Sequence, residues 1–208
     1  MQNFVGQQID RYHITERLGT GGMAVVYKAY DTRLEREVAI KLIRTSEIQE
    51  LQQERLLKRF EREARSMAKM HHPNIIKIFD YGEINGTPYI VMEYLPGGTL
   101  KQYTGSPMGY CQAAQLLAPI ANALSFAHQQ GIIHRDVKPS NIIISQTGVP
   151  LLSDFGVAKM LESQDVSITN TGFGVGTPQY MAPEQWQNKI CPQTDIYALG
   201  IIFYELIT

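Results

Sequence analysis

The hydrophobic pattern of this chain is mostly strand-like before Pro96-Gly97-Gly98 and mostly helical after it, and that change restricts what it can fold into. Before it, the Val-, Ile- and Tyr-rich runs YHITERL, AVVYKAY and EVAIKLI, then IIKIFDYG and TPYIVMEYL, are separated by glycines, by DTRLER and by the turn Ile84-Asn85-Gly86. They predict five antiparallel strands. One helix interrupts them. From Leu51 to Met70 the apolar positions Leu56, Leu57, Phe60, Ala64, Met67 and Ala68 recur at helical spacing, until His-Pro-Asn at 72 to 74 ends the stretch. After the glycine pair, Ala113, Leu116, Leu117, Ile120, Leu124 and Ala127 form a helical stripe that stops at Gly131, and Pro119 inside it predicts a kink. Two short strands, NIIIS and VPLLS, follow. The reading is an α+β domain in two lobes, a strand-rich one over residues 11–94 and a mostly helical one over 95–208. From Asp154 to Glu184 periodicity is weak, and a stretch of that kind inside a compact domain is expected to be functional.

Composition narrows the partners. With 19 basic and 20 acidic residues the net charge is -1, so no global field draws the chain to nucleic acid or an anionic membrane, and any phosphate has to be gripped locally. Cys111 and Cys191 stand far apart without CxxC spacing, which argues against a disulfide framework or zinc site and fits the reducing cytoplasm. The first residues lack the apolar run of a secretory signal. The most apolar stretch, Tyr197 to Ile207, is shorter than the roughly 20 residues a membrane span needs and contains Glu205, so it reads as a buried helix.

Three clusters carry chemistry. LGTGGMAVVYKA, residues 18 to 29, places Gly19 and Gly21 where backbone N–H groups can approach a bulky anion. The strand-like AVVYKAY after them disfavours a dinucleotide-binding turn, and Met23 after Gly22 excludes the phosphate-loop lysine pattern. What remains is a glycine-rich hairpin over phosphates or an ordinary glycine-rich turn. VAIK then puts Lys41 among apolar neighbours, where an ammonium needs an anionic partner, and Glu63 at the margin of the helical stripe is the proposed one. The plain alternatives are a snorkelling lysine and a Glu63–Arg59 pair one helical turn apart. HRDVKPSN, His134 to Asn141, is the third cluster, and two short strands after it bring Asp154 of DFG back alongside Asp136 and Asn141. Oxygen ligands from two loops beside a polyphosphate suit a hard cation such as Mg²⁺.

The order of these motifs, with GTPQYMAPE at 176 to 184 and Asp195 in DIYALG, resembles the eukaryotic-type Ser/Thr protein kinase family from about Tyr12 onward, and the wording GTGGMAVVY is most similar to its bacterial branch. Ala24 stands where many members carry a third glycine. The resemblance implies a bilobal kinase fold, a five-stranded antiparallel first lobe with one main helix, and an active site between the lobes. It implies an adenine slot walled by Leu18, Val26, Ala39 and Ile143, with the backbone of Glu93 and Leu95 as hinge and Met92 as gatekeeper. Lys41, held by Glu63, is implied to orient the α- and β-phosphates of ATP, Asn141 and Asp154 to hold Mg²⁺, Asp136 to accept the proton of the attacking hydroxyl, and Lys138 to steady the transferred phosphoryl group. Met67, Ile78, His134 and Phe155 are implied to stack as a regulatory spine, or are simply core.

Lys138 and Thr177 match the Ser/Thr-specific pattern, so the implied partners are ATP and protein substrates with Ser or Thr acceptors. Arg135 before Asp136 presents a cation, and we expect phosphate on Thr169 and Thr171, placed by a second copy of the chain in a homodimer. The alternative is a polar loop. YALGIIFYELI is apolar on nearly every side, and kinases wrap this helix with further ones, so the reading is a large lobe incomplete at its C-terminus, an apolar surface on residues 196–207, and Glu184 without an arginine partner. A longer parent protein carrying a membrane anchor is compatible with this. The competing reading is a truncated, catalytically weak or inactive nucleotide-binding or interaction module.

Overall fold

The computed structural model describes residues 3–22, 24–44, 50–155 and 178–208. They divide into two compact units, Met1–Lys69 with Lys77–Tyr94, and Met70–Ile76 with Leu95–Thr208.

The first unit is built on an antiparallel sheet of β1 (Gln8–Ile9), β2 (Tyr12–Thr20), β3 (Ala24–Asp31), β4 (Arg36–Ile43), β5 (Ile78–Ile84) and β6 (Thr87–Glu93), in the order β1-β2-β3-β4-β6-β5. Five of these strands follow the sequence pattern. The sixth, β1, is 2 residues long, too short for alternation to show, and it pairs back on β2 because Asp10 takes a left-handed turn at φ 50°. Asn85 and Gly86, at φ 49° and 75°, form the two-residue loop that joins β5 to β6, as an Asn-Gly pair between apolar runs should.

Alternation sorts the sheet into two faces. Ile14, Val25, Tyr27, Ala29, Val38, Ile40, Leu42, Tyr89 and Val91 are buried together on one. The intervening residues Val26, Lys28, Ala39, Lys41, Ile90 and Met92 take the other. Helix α1 (Glu50–Ala68) buries Leu56, Phe60, Ala64 and Met67 and packs on β5, where Phe60 meets the Tyr81 ring edge-on and Arg65 Nε donates to Tyr81 Oη at 2.9 Å. Behind the sheet, Arg11 ties β3 to β5. Its Nε reaches Asp31 Oδ2 at 3.3 Å, its Nη2 reaches Asp80 Oδ2 at 2.9 Å, and Tyr12 Oη donates to the same Asp80 oxygen at 2.8 Å. Burial pushes the Asp31 carboxyl up, but the N–H groups of Leu34 and Arg33 and the Arg11 guanidinium outweigh it and hold Asp31 below the usual aspartate range. Burial and the Asp80 bond push the Tyr12 hydroxyl well above its ordinary value.

In the second unit α2 (Tyr110–Gln129) buries Ala113, Leu117, Ile120, Ala123, Leu124 and Ala127 and is continuous through Pro119. It stops where Gly131, at φ 73°, turns back and donates to His128 O at 2.9 Å. The short hairpin of β7 (Ile142–Ile144) and β8 (Pro150–Leu152) follows. The segment Met70–Ile76 belongs here because its backbone runs along β8, Ile76 N–H donating to Leu152 O at 3.0 Å and Leu152 N–H to Asn74 O at 2.8 Å. Gly97 has no room for a Cβ, which would strike the carbonyl of Ile144. Helix α3 (Pro192–Ile207) packs on α2 with Ala198, Leu199, Ile202 and Leu206 buried. It is not buried all round, since Ile196, Tyr197 and Tyr204 are 50%, 41% and 64% exposed among the described residues.

Candidate active site

The β7–β8 register determines where the acidic groups stand. With Ile142 opposite Leu152, the next pair outward is Asn141 and Ser153, and Ser153 donates to Asn141 O through both N–H, at 2.8 Å, and Oγ, at 3.0 Å. Asp154 follows at φ 68°, and Phe155, 3% exposed, lays its ring 4.6 Å from that of His134. A non-glycine residue at such a φ costs about 1–2 kcal/mol, so surrounding contacts must hold it.

The loop before β7 gathers three of the expected residues. Asp136 Oδ2 receives Lys138 Nζ at 2.7 Å and Asn141 Nδ2 at 3.1 Å, and the same Asn141 nitrogen donates to Asp136 O at 2.8 Å. Asn141 is 5% exposed. Its amide nitrogen is committed to Asp136, which leaves its oxygen as the donor for a cation.

A buried acid holds this loop from below. Asp195, on α3 and 1% exposed, accepts the N–H of His134 at 2.9 Å and His128 Nε2 at 2.7 Å on one oxygen, and the N–H of Arg135 at 2.8 Å on the other. Arg135 is itself left-handed at φ 70°. His134 completes the frame. Its Nε2 lies 2.7 Å from Ser153 O, which can only accept, while its Nδ1 lies 3.3 Å from the N–H of Asp136, which can only donate, so the proton sits on Nε2. Asp195 stood out in sequence only as part of a motif. A lone acid on the apolar stripe of α3 is the trace it leaves, because a buried carboxylate needs donors. His128, Ser153 and Gln185 left no such trace.

Of the remaining expected residues of the first unit, Val26, Ala39, Lys41 and Met92 lie on the sheet face opposite its core, while Glu93 pairs with core-facing Val38 and Glu63 and Met67 stand on α1. Val26 pairs with Lys41, Ala39 with Met92, and Gly19 with Val26. Lys41 is 7% exposed, and Glu63 on α1 has Arg62 Nη2 at 3.4 Å. Leu18 is exposed, Gly21 N–H closes the β2–β3 turn on Ala24 O at 2.8 Å, and Glu93 N–H donates to Lys77 O at 3.0 Å. Met67 is buried and Ile78 half-buried in this unit. In the second unit Ile143 bridges Thr99, and Leu95 is half-buried. Glu184 accepts from Thr194 Oγ1 at 3.3 Å. Ser167, Thr169, Thr171 and Thr177 lie outside the described residues.

The first unit thus carries a glycine hairpin and a buried lysine on its sheet, and the second a loop that joins Asp136, Lys138 and Asn141 ahead of Asp154. Residues 12–208 match the protein kinase domain family, and the chain belongs to it. It is 44% identical over 204 residues to the probable serine/threonine-protein kinase PknB of Lactococcus lactis, covering 96% of this chain and 32% of that protein. It is 42% identical over 206 residues to the serine/threonine-protein kinase PknB of Mycobacterium leprae, with the same coverage of 96% and 32%. The chain thus spans about a third of the length of these curated relatives. Among solved structures, "PpkA-294 apo form" superposes with a TM-score of 0.81 at 30% identity, over 98% of this chain and 78% of that one. The Mycobacterium tuberculosis PknI kinase domain gives a TM-score of 0.76 at 27% identity, over 97% of this chain and 76% of that one. No described helix is long and apolar enough to cross a membrane.

Proposed function

We propose that this domain transfers the γ-phosphoryl group of ATP to Ser or Thr hydroxyls of protein substrates. The observation that carries the reading is the anchored Asp136, its carboxylate in the grip of Lys138 and Asn141 on a loop tied to Asp195. In the reaction the substrate hydroxyl oxygen bonds to the γ-phosphorus, the bond from that phosphorus to the β–γ bridging oxygen breaks, ADP leaves, and the hydroxyl proton passes to Asp136. Lys138 neutralises charge on the moving phosphoryl group. Lys41, with Glu63 as counter-charge, orients the α- and β-phosphates.

The glycine hairpin fits a phosphate cradle. Gly19 and Gly21 are not left-handed, and a Cβ would meet no heavy atom of the described chain within 4 Å at Gly19 and only Ala24 O at 3.7 Å, an ordinary contact, at Gly21, so internal packing does not demand glycine there. Leu18, Val26, Ala39 and Ile143 take the adenine, with Met92 behind it and the backbone of Glu93 and Leu95 at its edge. Asn141 and Asp154 suit Mg²⁺, a hard ion that takes few protein oxygens and completes its shell with phosphate and water. That ion supplies neutralisation of phosphate charge. Phosphorylation of Thr169 and Thr171 by a second copy, in the cytoplasm, belongs to the same reading, and mass spectrometry of active protein finding neither site modified overturns it.

The test is incorporation of label from γ-labelled ATP with Mg²⁺ into a Ser/Thr substrate protein. Asp136→Asn is expected to lower the rate about 10²- to 10⁴-fold with the melting temperature little changed. ATP binding without any transfer by the unaltered protein would point instead to a nucleotide-binding module.

A further inference from the structure

The amide of Gln185 joins two segments that no backbone ladder connects. Its Oε1 accepts the N–H of Ala182 at 2.9 Å, and its Nε2 donates to the carbonyl of Arg135 at 3.2 Å. One end therefore fixes the side chain to its own 3-10 turn, Pro183–Gln187, and the other reaches the loop that carries Asp136. That carbonyl shares a peptide plane with the N–H of Asp136, which donates to His134 Nδ1 at 3.3 Å. The plane is held at its nitrogen by His134 and at its oxygen by Gln185. It lies immediately after Arg135, whose φ of 70° makes it a place where the backbone gains by rotating away. The direction in which Asp136 leaves the chain follows from this plane.

We infer that Gln185 is a positioning residue for phosphoryl transfer, acting through the Arg135–Asp136 peptide to aim the Asp136 carboxylate. The inference rests on the reading of Asp136 as the group that takes the hydroxyl proton. It also couples the segment Tyr180–Gln187 to the catalytic loop, since both hydrogen bonds require that segment in place. Only a side chain with one acceptor and one donor at this reach satisfies both partners, and glutamine supplies them at any pH. A carboxylate can accept from Ala182 but sets a second acceptor against the Arg135 carbonyl. A protonated carboxyl group restores the donor in nearly the same shape.

The experiment measures kcat and KM for ATP in Gln185→Glu, Gln185→Ala and Gln185→Met between pH 6 and pH 8, each beside the unaltered protein and with a melting curve. For Q185E at pH 8, kcat is expected to fall about 10- to 100-fold while KM for ATP stays within about twofold. Its rate relative to the unaltered protein should rise on going down to pH 6, as the facing Arg135 carbonyl oxygen favours the protonated carboxyl group, which donates to Arg135 O. Q185A and Q185M should lose kcat without that recovery. A kcat within about twofold of the unaltered protein for Q185M, measured per folded molecule, overturns the inference even if Q185E fails to fold. Hydrogen exchange of the peptide covering residues 134–141 is the second readout, and it needs no turnover. Faster exchange in Q185E at pH 8 supports the coupling, and unchanged exchange overturns it. If the unaltered protein transfers no phosphoryl group, the proposed function falls while the exchange data still decide whether Gln185 holds the loop.

Discussion

The two units hold their candidate functional residues by different means. On the sheet, Val26, Ala39 and Lys41 take their places from cross-strand pairing, Val26 against Lys41 and Ala39 against Met92, so the ladder positions them whatever their side chains do. In the second unit Asp136, Asn141 and Asp154 sit on irregular backbone, Arg135 and Asp154 are left-handed, and the positions depend on single polar side chains, Asp195, His134 and Ser153. A ladder spreads its support over many equivalent bonds. A polar frame concentrates it in a few that have no substitutes, so one lost acceptor should disturb both shape and chemistry there.

The sharpest way to break this comparison is Asp195→Asn. An amide in that place keeps one acceptor and turns a donor toward backbone N–H groups, so we expect a loss of about 2–4 kcal/mol in stability and at least about 100-fold in transfer rate. Denaturant melts and single-turnover assays read the two, and a rate close to that of the unaltered protein would erase the distinction between the units. Next in size is Ile40→Ala, at a side chain 0% exposed in the sheet core. It should cost about 2–4 kcal/mol while the rate per folded molecule stays within about twofold. A large fall in rate would show that the ladder alone does not position Lys41. The smallest effect concerns acid. Because the folded Asp31 carboxyl is held below its ordinary range, its contribution to stability is complete above that range and is lost as pH falls through the lowered folded value. Melting temperatures taken from pH 6 down to about pH 3 should therefore drop less steeply in Asp31→Asn.

Much of the fold was legible because alternation and helical spacing are local properties. The Asn85-Gly86 hairpin, the stop of α2 before Gly131 and the paired strands on either side of Gly148 follow from residues a few positions apart. Strand β1 was invisible because its 2 residues carry no period. The apolar surface expected on residues 196–207, exposed at Ile196, Tyr197 and Tyr204, came from the family resemblance and not from periodicity, since an apolar residue such as Ile196 looks the same in sequence whether or not something covers it. Within the site, Asp136, Lys138 and Asn141 share one short motif, and their mutual bonds span few residues. Asp195 and Gln185 act on that motif from across the chain, Asp195 on His134 over a separation of 61 positions and Gln185 on Arg135 over 50.

By itself the sequence determined which polar motifs this domain carries and which stretches are strand or helix, since residue type and short-range periodicity are written along the chain. Tertiary structure alone decided how the loop of residues 134–141 is held. The donors and acceptors that fix Arg135 in a left-handed turn come from α3 and from the Pro183–Gln187 turn, and hydrogen bonds between segments so far apart in sequence exist only once the chain has folded.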